Sequence, residues 1–263
     1  KLRNYLMITS SSNGFLKTFL AFILLGACGS EPQIKIMTSR DLMENSIPPA
    51  DHRIQYGNKE LQFGDLRLPA GPGPHPVAVV IHGGCWLSEY DLEHIGNLCE
   101  ALTRAGIATW SLEYRRVGDT GGGWPGTFQD IAQGTEYIRE LAQIYPIDVD
   151  RVIALGHSAG GHLALWLAAG KNLPEESPLR TSDPFPIKGV ISLAGITDLR
   201  AYSAGAGDCN RAVAKLLGGN FEEMTGRYEQ TSPIGMLPLG VPQRMIHGDR
   251  DTIVPLEQVK NYT

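Results

Sequence analysis

No run of basic residues marks this sequence. Its 23 Lys and Arg are outnumbered by 28 Asp and Glu, for a net charge of −5, so the electrostatic footprint of nucleic-acid binding is missing. There are only four cysteines, and no Cys/His spacing suits a zinc site, so no metal is expected. Internal repeats and a second domain are also missing. No apolar run is long enough to span a bilayer comfortably as a mature helix. What remains is 263 residues of ordinary hydrophobic content, 42%, enough for one α/β domain with a full core.

The N-terminus differs from the rest. Lys1, Arg3 and Lys17 precede an apolar run, Thr18 to Leu25, followed by Gly26-Ala27-Cys28. A basic start, a short apolar core and small residues describe a secretory signal peptide. Leu25-Gly26-Ala27-Cys28 resembles the bacterial lipobox, which implies cleavage before Cys28 and its lipidation. The expected organisation is a signal peptide over 1–27, a tether over 28–51 and one folded α/β domain over 52–263. The protein is expected in the cell envelope, held to the membrane through Cys28. With Cys28 lipidated, three cysteines remain, so at least one is free or pairs between chains. Sequence position leaves open whether Cys99 and Cys209 meet.

Strands and helices alternate along the chain. Glu60–Leu68 alternates as a strand, and Val77–His82 is a continuous apolar run, expected of a strand covered on both faces. Further strands are expected over Ile107–Tyr114, Arg151–Leu155, Lys188–Gly195 and Pro242–Gly248. Helical patterns cover Glu89–Arg104, Thr127–Tyr145 and Gly161–Ala169, and another starts at Pro255. Residues 198–235 look less regular, like an insertion over the site. This order predicts a mainly parallel sheet with helices on both faces, with ligands at the carboxyl ends of the strands.

Between one strand and the next helix stands Gly156-His157-Ser158-Ala159-Gly160. Gly-x-Ser-x-Gly in this context resembles the nucleophile elbow of the α/β-hydrolases, which makes Ser158 the candidate nucleophile. An acyl-transfer site also needs donors for the oxyanion. His82-Gly83-Gly84-Cys85-Trp86 follows the strand at 77–82, and its backbone N–H groups at Gly84 and Cys85, with Gly83, suit that role. Ala159, just after the serine, supplies another. Taken together, these motifs resemble the esterase and lipase branch of the α/β-hydrolases, near a subgroup with His-Gly-Gly-x-Trp that includes feruloyl-esterase-like, kynurenine-formamidase-like and acetyl-esterase-like enzymes. Those relatives often carry Gly or Tyr where Cys85 stands; only the side chain departs.

The resemblance implies a triad acid after the penultimate strand. His247-Gly248-Asp249-Arg250-Asp251 with Val254-Pro255 matches that pattern and makes Asp251 the acid. The family's histidine follows one strand later and finds no match. His82 belongs to the oxyanion loop, His157 to the elbow and His162 to the helix behind the serine. His247 ends a strand, and His52, His75 and His94 are poorly placed. The expectation is a chain truncated before its last strand and its base, inactive for want of that histidine. Gly121 to Gly126 satisfies Gly-x-Gly-x-x-Gly, but Trp124 and Pro125 inside it argue against a pyrophosphate cradle. Asp130 matches a structural aspartate of the family. Trp86, Tyr114, Trp124 and Tyr202 either line a substrate pocket or pack in the core.

The expected activity is hydrolysis of carboxylic esters through an acyl-enzyme on Ser158, without cofactor. Amide-directed hydrolysis, of the aryl-formamidase or peptidase type, and a non-catalytic binding protein on a hydrolase scaffold stand as alternatives.

Overall fold

The computed structural model describes residues 47–263. The expected signal segment, Cys28 and most of the tether lie outside the described residues. Seven strands form one mixed sheet: β1 (His52–Gln55), β2 (Phe63–Arg67), β3 (His75–Ile81), β4 (Ala108–Leu112), β5 (Ile147–His157), β6 (Val190–Leu193) and β7 (Gln243–Ile246), in the order β1-β2-β4-β3-β5-β6-β7. The first two strands run antiparallel, and β4, β3, β5, β6 and β7 pair in parallel. The expected α/β architecture is the observed one.

Strand β3 shows why its sequence is apolar without alternation. Val77, Val79 and Ile81 face the principal core, and Ala78 and Val80 face a second core with Ile95, Cys99 and Leu155. Both faces are covered, as parallel strands require. Helix α1 (Gly96–Arg104) covers the second face and follows a short 3-10 turn, Leu92–Ile95, capped by the Asp91 carboxylate accepting from Glu93 N–H. The helix expected from Glu89 therefore starts late. The helix expected over Thr127–Tyr145 divides into α2 (Gly126–Glu136) and α3 (Ile138–Leu141). Just before the break, the Thr135 hydroxyl donates to the Ile131 carbonyl at 2.7 Å, a back-bond that bends helices.

Helix α4 (Ala159–Ala168) is apolar on every side and buried from Ala159 to Trp166, which places it against the sheet on one side and other helices on the other. Two glycines allow its approach. A Cβ on Gly160 would lie 2.0 Å from the Ile81 carbonyl oxygen, and one on Gly156 would lie 2.1 Å from the Gly160 carbonyl. The segment 198–235 is more regular than its sequence suggests. It holds α5 (Leu199–Ser203), α6 (Asp208–Leu217) and α7 (Thr225–Glu229), followed by a 3-10 turn, Pro233–Met236. Leu199, Tyr202, Val213, Leu216, Leu217 and Tyr228 from this segment lie in the principal core. Helix α8 (Glu257–Lys260) lies beyond β7.

The chain passes from β3 to β4 on one side of β3, then crosses to β5 on the other. Strand order reverses there, so the carboxyl ends of β3 and β5 diverge and leave a crevice, the usual ligand position in open α/β sheets. The Gly-Gly loop leaves β3 at that crevice, and Ser158 leaves β5 beside it.

Candidate active site

Ser158 stands between β5 and α4 with φ 54° and ψ −117°. A non-glycine residue held there carries about 1–3 kcal/mol of backbone strain, which the surroundings must offset. The Ser158 N–H donates to the Leu193 carbonyl at 2.8 Å, and the Ser158 carbonyl accepts from His162 N–H at 3.0 Å. The turn is thus pinned to β6 on one side and to α4 on the other, and the side chain stays half-buried rather than enclosed. Its position at the start of α4 sets developing negative charge against a helix N-terminus.

The Gly-Gly loop passes directly over the elbow. A Cβ on Gly83 would lie 2.8 Å from the His157 carbonyl oxygen and 3.3 Å from Ser158 Cβ, so only glycine lets the two backbones meet. After it come three successive positive φ angles: Gly84 at 105°, Cys85 at 53° and Trp86 at 58°. Among the described residues the N–H groups of Gly84 and Cys85 donate to no other group. Ala159, as the first helical residue, has no intrahelical acceptor for its own N–H. The expected donors Gly83, Gly84, Cys85 and Ala159 therefore sit at one crevice beside the expected nucleophile.

The loop is anchored at both ends. Upstream, His82 Nδ1 meets the Gly83 carbonyl at 2.7 Å and its Nε2 meets the Glu113 carboxylate at 3.2 Å. Burial pushes the Glu113 carboxyl up, but the His82 hydrogen bond and charge, with Arg116 at 3.2 Å, hold it below its ordinary value. Downstream, Trp86 is wholly buried. Its Nε1–H donates to His162 Nδ1 at 3.3 Å, and its carbonyl accepts from Val117 N–H at 2.8 Å. His162 Nε2 in turn faces the Thr231 carbonyl at 2.8 Å. Burial lowers the His162 pKa to about 4, against a small opposing effect of the Thr231 bond, so the ring is neutral at pH 7.

Between these anchors lies a feature that sequence reasoning did not find: Cys85 is disulfide-bonded to Cys209 at the start of α6, with a Cα–Cα distance of 5.0 Å. Residue spacing carries no signal for a pair 124 residues apart. In the chain-entropy model, closing a loop that long restrains the unfolded chain by about 5 kcal/mol. Cys99 is the free, buried cysteine, its thiol pushed up to about 11 by burial, which makes it inert.

Asp251 lies in the turn after β7. Its Oδ1 accepts from Ile253 N–H at 2.8 Å and Val254 N–H at 3.0 Å. One oxygen is thereby fixed, and among the described residues no side-chain cation lies in hydrogen-bond range of the carboxylate. Its Oδ2 is 3.8 Å from His247 Nε2, but that nitrogen faces the Val254 carbonyl at 2.8 Å. The Tyr202 hydroxyl donates to the Ile253 carbonyl of the same turn at 3.1 Å. Burial, and next the Asp251 charge, push that phenol up to about 12.

Among the described residues no histidine hydrogen-bonds the Ser158 hydroxyl. His157 and His94 pair with each other, Nδ1 to Nε2 at 3.1 Å. Burial lowers both, and His157 and His82 lower His94 further, to about 4, whereas Asp251 opposes the fall at His157. His52 stacks on Tyr145 with ring centroids 4.7 Å apart.

The aromatic pocket candidates divide. Trp86 and Tyr114 are fully buried, with the Tyr114 hydroxyl donating to the His82 carbonyl at 3.1 Å. They are core side chains beneath the Gly-Gly loop, the packing role of the two that the sequence left open. Trp124 is half-buried, its N–H donating to the Leu216 carbonyl at 2.7 Å and Arg227 lying 5.5 Å from its ring centroid. Asp130 is structural, accepting three bonds from Arg115 and one from Gln62. In the glycine loop, the N–H groups of Gly122, Gly123 and Trp124 donate within the protein.

The BD-FAE family model matches residues 65–263. Among curated proteins, the chain is 23% identical to "Esterase LipC" of Mycobacterium tuberculosis, over 80% of this chain and 53% of the relative. It is 27% identical to "Isoprenylcysteine alpha-carbonyl methylesterase ICME" of Arabidopsis thaliana, over 80% of this chain and 51% of the relative. The chain thus spans about half the length of these curated relatives. Among solved structures, a "truncated form of carbohydrate esterase from gut microbiota" superposes with TM-score 0.70 at 24% identity, covering 81% of this chain and 84% of the other. An inhibited esterase B from Lactobacillus rhamnosis gives TM-score 0.69 at 23% identity, covering 84% and 73%. These two structures share the α/β-hydrolase fold with this chain.

Proposed function

Because the chain belongs to the BD-FAE family, we propose that it hydrolyses carboxylic esters through an acyl-enzyme on Ser158. The observation that carries this reading is the meeting of a strained serine with free N–H groups at one crevice. Ser158 is held at positive φ at the head of α4, Gly83 packs against it, and the next two residues, Gly84 and Cys85, carry N–H groups that donate to no other group among the described residues. The ester-hydrolase names of the relatives support the choice of esters over amides.

In the proposed cycle, the Ser158 oxygen attacks the ester carbonyl and its proton passes to a base. The carbonyl oxygen becomes an oxyanion that accepts from the N–H groups of Gly84, Cys85 and Ala159. Each such donor contributes about 2.7–4 kcal/mol to the transition state. The alcohol leaves with the proton from the base, and water then releases the acid by the same path in reverse. The base must be a histidine oriented by Asp251. Among the described residues no histidine hydrogen-bonds both Ser158 and Asp251. Phosphonylation needs only removal of the serine proton as fluoride leaves, whereas turnover also needs a proton delivered to the alcohol and water activated, so the two are read separately.

The test is a fluorophosphonate probe with peptide mapping. Labelling is expected at Ser158 and lost in Ser158→Ala. Labelling that persists in the variant would remove the assignment, and a wild type that resists the probe would favour a binding protein on this scaffold.

On sequence pattern, Cys28 is read as a lipidated residue and the protein as exported to the cell envelope. The Cys85–Cys209 disulfide supports an oxidising compartment. Incorporation of a clickable fatty acid in wild type but not in Cys28→Ser tests the anchor.

A further inference from the structure

We propose that Cys209 is a positioning residue for acyl transfer: its disulfide to Cys85 holds the oxyanion loop in its left-handed form, so the reactivity of Ser158 depends on the oxidation state of that bond. The inference rests on the esterase reading and adds to it a residue far from the elbow in sequence.

The loop is held by side-chain hydrogen bonds at both ends, and at its centre the only side-chain tie among the described residues is the disulfide. His82, through the Gly83 carbonyl and Glu113, anchors the upstream end. Trp86, through His162 and Val117, anchors the downstream end. The Gly83–Gly84 and Gly84–Cys85 peptides carry the two N–H groups that the esterase reading assigns to the oxyanion, and among the described residues neither donates to another group. Among the described residues, Gly84 has one backbone tie, its carbonyl accepting from Leu87 N–H at 2.9 Å. The Cys85 side chain has the disulfide. Residue 85 sits at φ 53°, a region that any non-glycine residue leaves unless its surroundings hold it. Rotation about φ and ψ at Cys85 would turn the Gly84–Cys85 and Cys85–Trp86 peptide planes and so re-aim the Cys85 N–H.

The other end of the bond is a firm support. Cys209 opens α6, whose Ala212, Val213, Leu216 and Leu217 are buried in the principal core. Its C-terminal end accepts from Trp124 N–H at Leu216 O. Both cysteines are half-buried, so a small thiol can reach the bond. Reduction by a dithiol transfers two electrons and two protons to Cys85 and Cys209, and the dithiol closes to its cyclic disulfide. The loop then keeps its end anchors and loses its central one.

The experiment compares the full chain as oxidised wild type, as wild type treated with dithiothreitol, and as Cys209→Ser and Cys209→Ala. The readout is the rate of Ser158 phosphonylation, with near-UV circular dichroism to confirm the folded state and mass spectrometry to find the linked Cys85 and Cys209 peptides. The expected result is a rate at least tenfold lower after reduction and in both variants, with native dichroism retained. Re-oxidation should restore wild type, and the variants should not respond to dithiothreitol. Where a model ester is turned over, kcat should fall with KM little changed. If a variant fails to fold, reduction and re-oxidation of wild type decide the matter. A cross-link that only stabilises would lower the denaturation midpoint and leave the phosphonylation rate unchanged; that result overturns the inference, as does the absence of the linked peptides. Oxidised wild type that is not labelled at all overturns the esterase reading, and this inference with it.

Discussion

Acidification should destabilise this fold through His162, and the size of the effect can be worked out. The ring is fully buried. Its Nδ1 accepts from Trp86 and its Nε2 faces the Thr231 carbonyl, an arrangement that only the neutral ring satisfies. A proton on Nδ1 would oppose the Trp86 N–H and leave a charge without a counter-ion in contact. The folded pKa is about 4 against 6.5 in a free chain. Between those values the unfolded chain binds more protons than the folded one, so stability rises with pH through the window. It is fully present above about pH 6.5 and is lost as pH falls towards 4. For this shift, the linkage relation gives a loss of about 2 kcal/mol at pH 5 and about 3 kcal/mol at pH 4. His162→Gln keeps an oxygen for Trp86 and an N–H for Thr231, and it does not titrate. Urea denaturation of both proteins at pH 7, 5 and 4 isolates the effect, because His94, His157 and the carboxylates are common to both and cancel. The stability difference, wild type minus variant, should fall by about 3 kcal/mol from pH 7 to pH 4. Parallel profiles would refute the reasoning and show that the buried ring does not resist protonation.

Two further substitutions probe the frame around the site. Asp130→Asn leaves Arg115 with a neutral partner in a buried position where four hydrogen bonds converge. It should lower stability by about 3–5 kcal/mol in denaturant titrations. Gly160→Ala places a Cβ 2.0 Å from the Ile81 carbonyl. The helix must then move off the sheet, so stability should fall by about 1–3 kcal/mol and phosphonylation of Ser158 should slow in the protein that remains folded.

The parts of this molecule that were legible in its sequence are those governed by local rules. Strand β3 announces itself because burial on both faces demands an unbroken apolar run, and the elbow because Gly156 and Gly160 must lack side chains for α4 to touch β5 and β3. The helices over 198–235 were not legible, because α5 and α7 span only a turn or so each and α6 is the single one with a sustained apolar face. Trp86 and Tyr114 were ambiguous for a different reason. An aromatic residue beside a catalytic loop has the same composition signal whether it faces substrate or supports the loop from below, and here burial assigns the second role. The Cys85–Cys209 pair was invisible, since proximity across 124 residues depends on how the insertion folds back.

That insertion touches every part of the candidate site. Cys209 joins the Gly-Gly loop covalently through Cys85. The Thr231 carbonyl fixes His162, and through it both Trp86 and the helix that Ser158 heads. Tyr202 donates into the turn that carries Asp251. Three ties reach three different elements of the crevice, and each comes from a different helix or connection of the segment. A lid that opened as a rigid unit would have to break a covalent bond and two buried or half-buried hydrogen bonds together. The segment is better understood as a brace: it fixes the relative placement of Ser158, the Gly83–Cys85 loop and Asp251, the proposed nucleophile, oxyanion loop and acid, which leave three separate strands. Ser158 itself is half-buried rather than enclosed, and Tyr90, which packs on Gly84, is 45% exposed, so the crevice is reached without moving the brace.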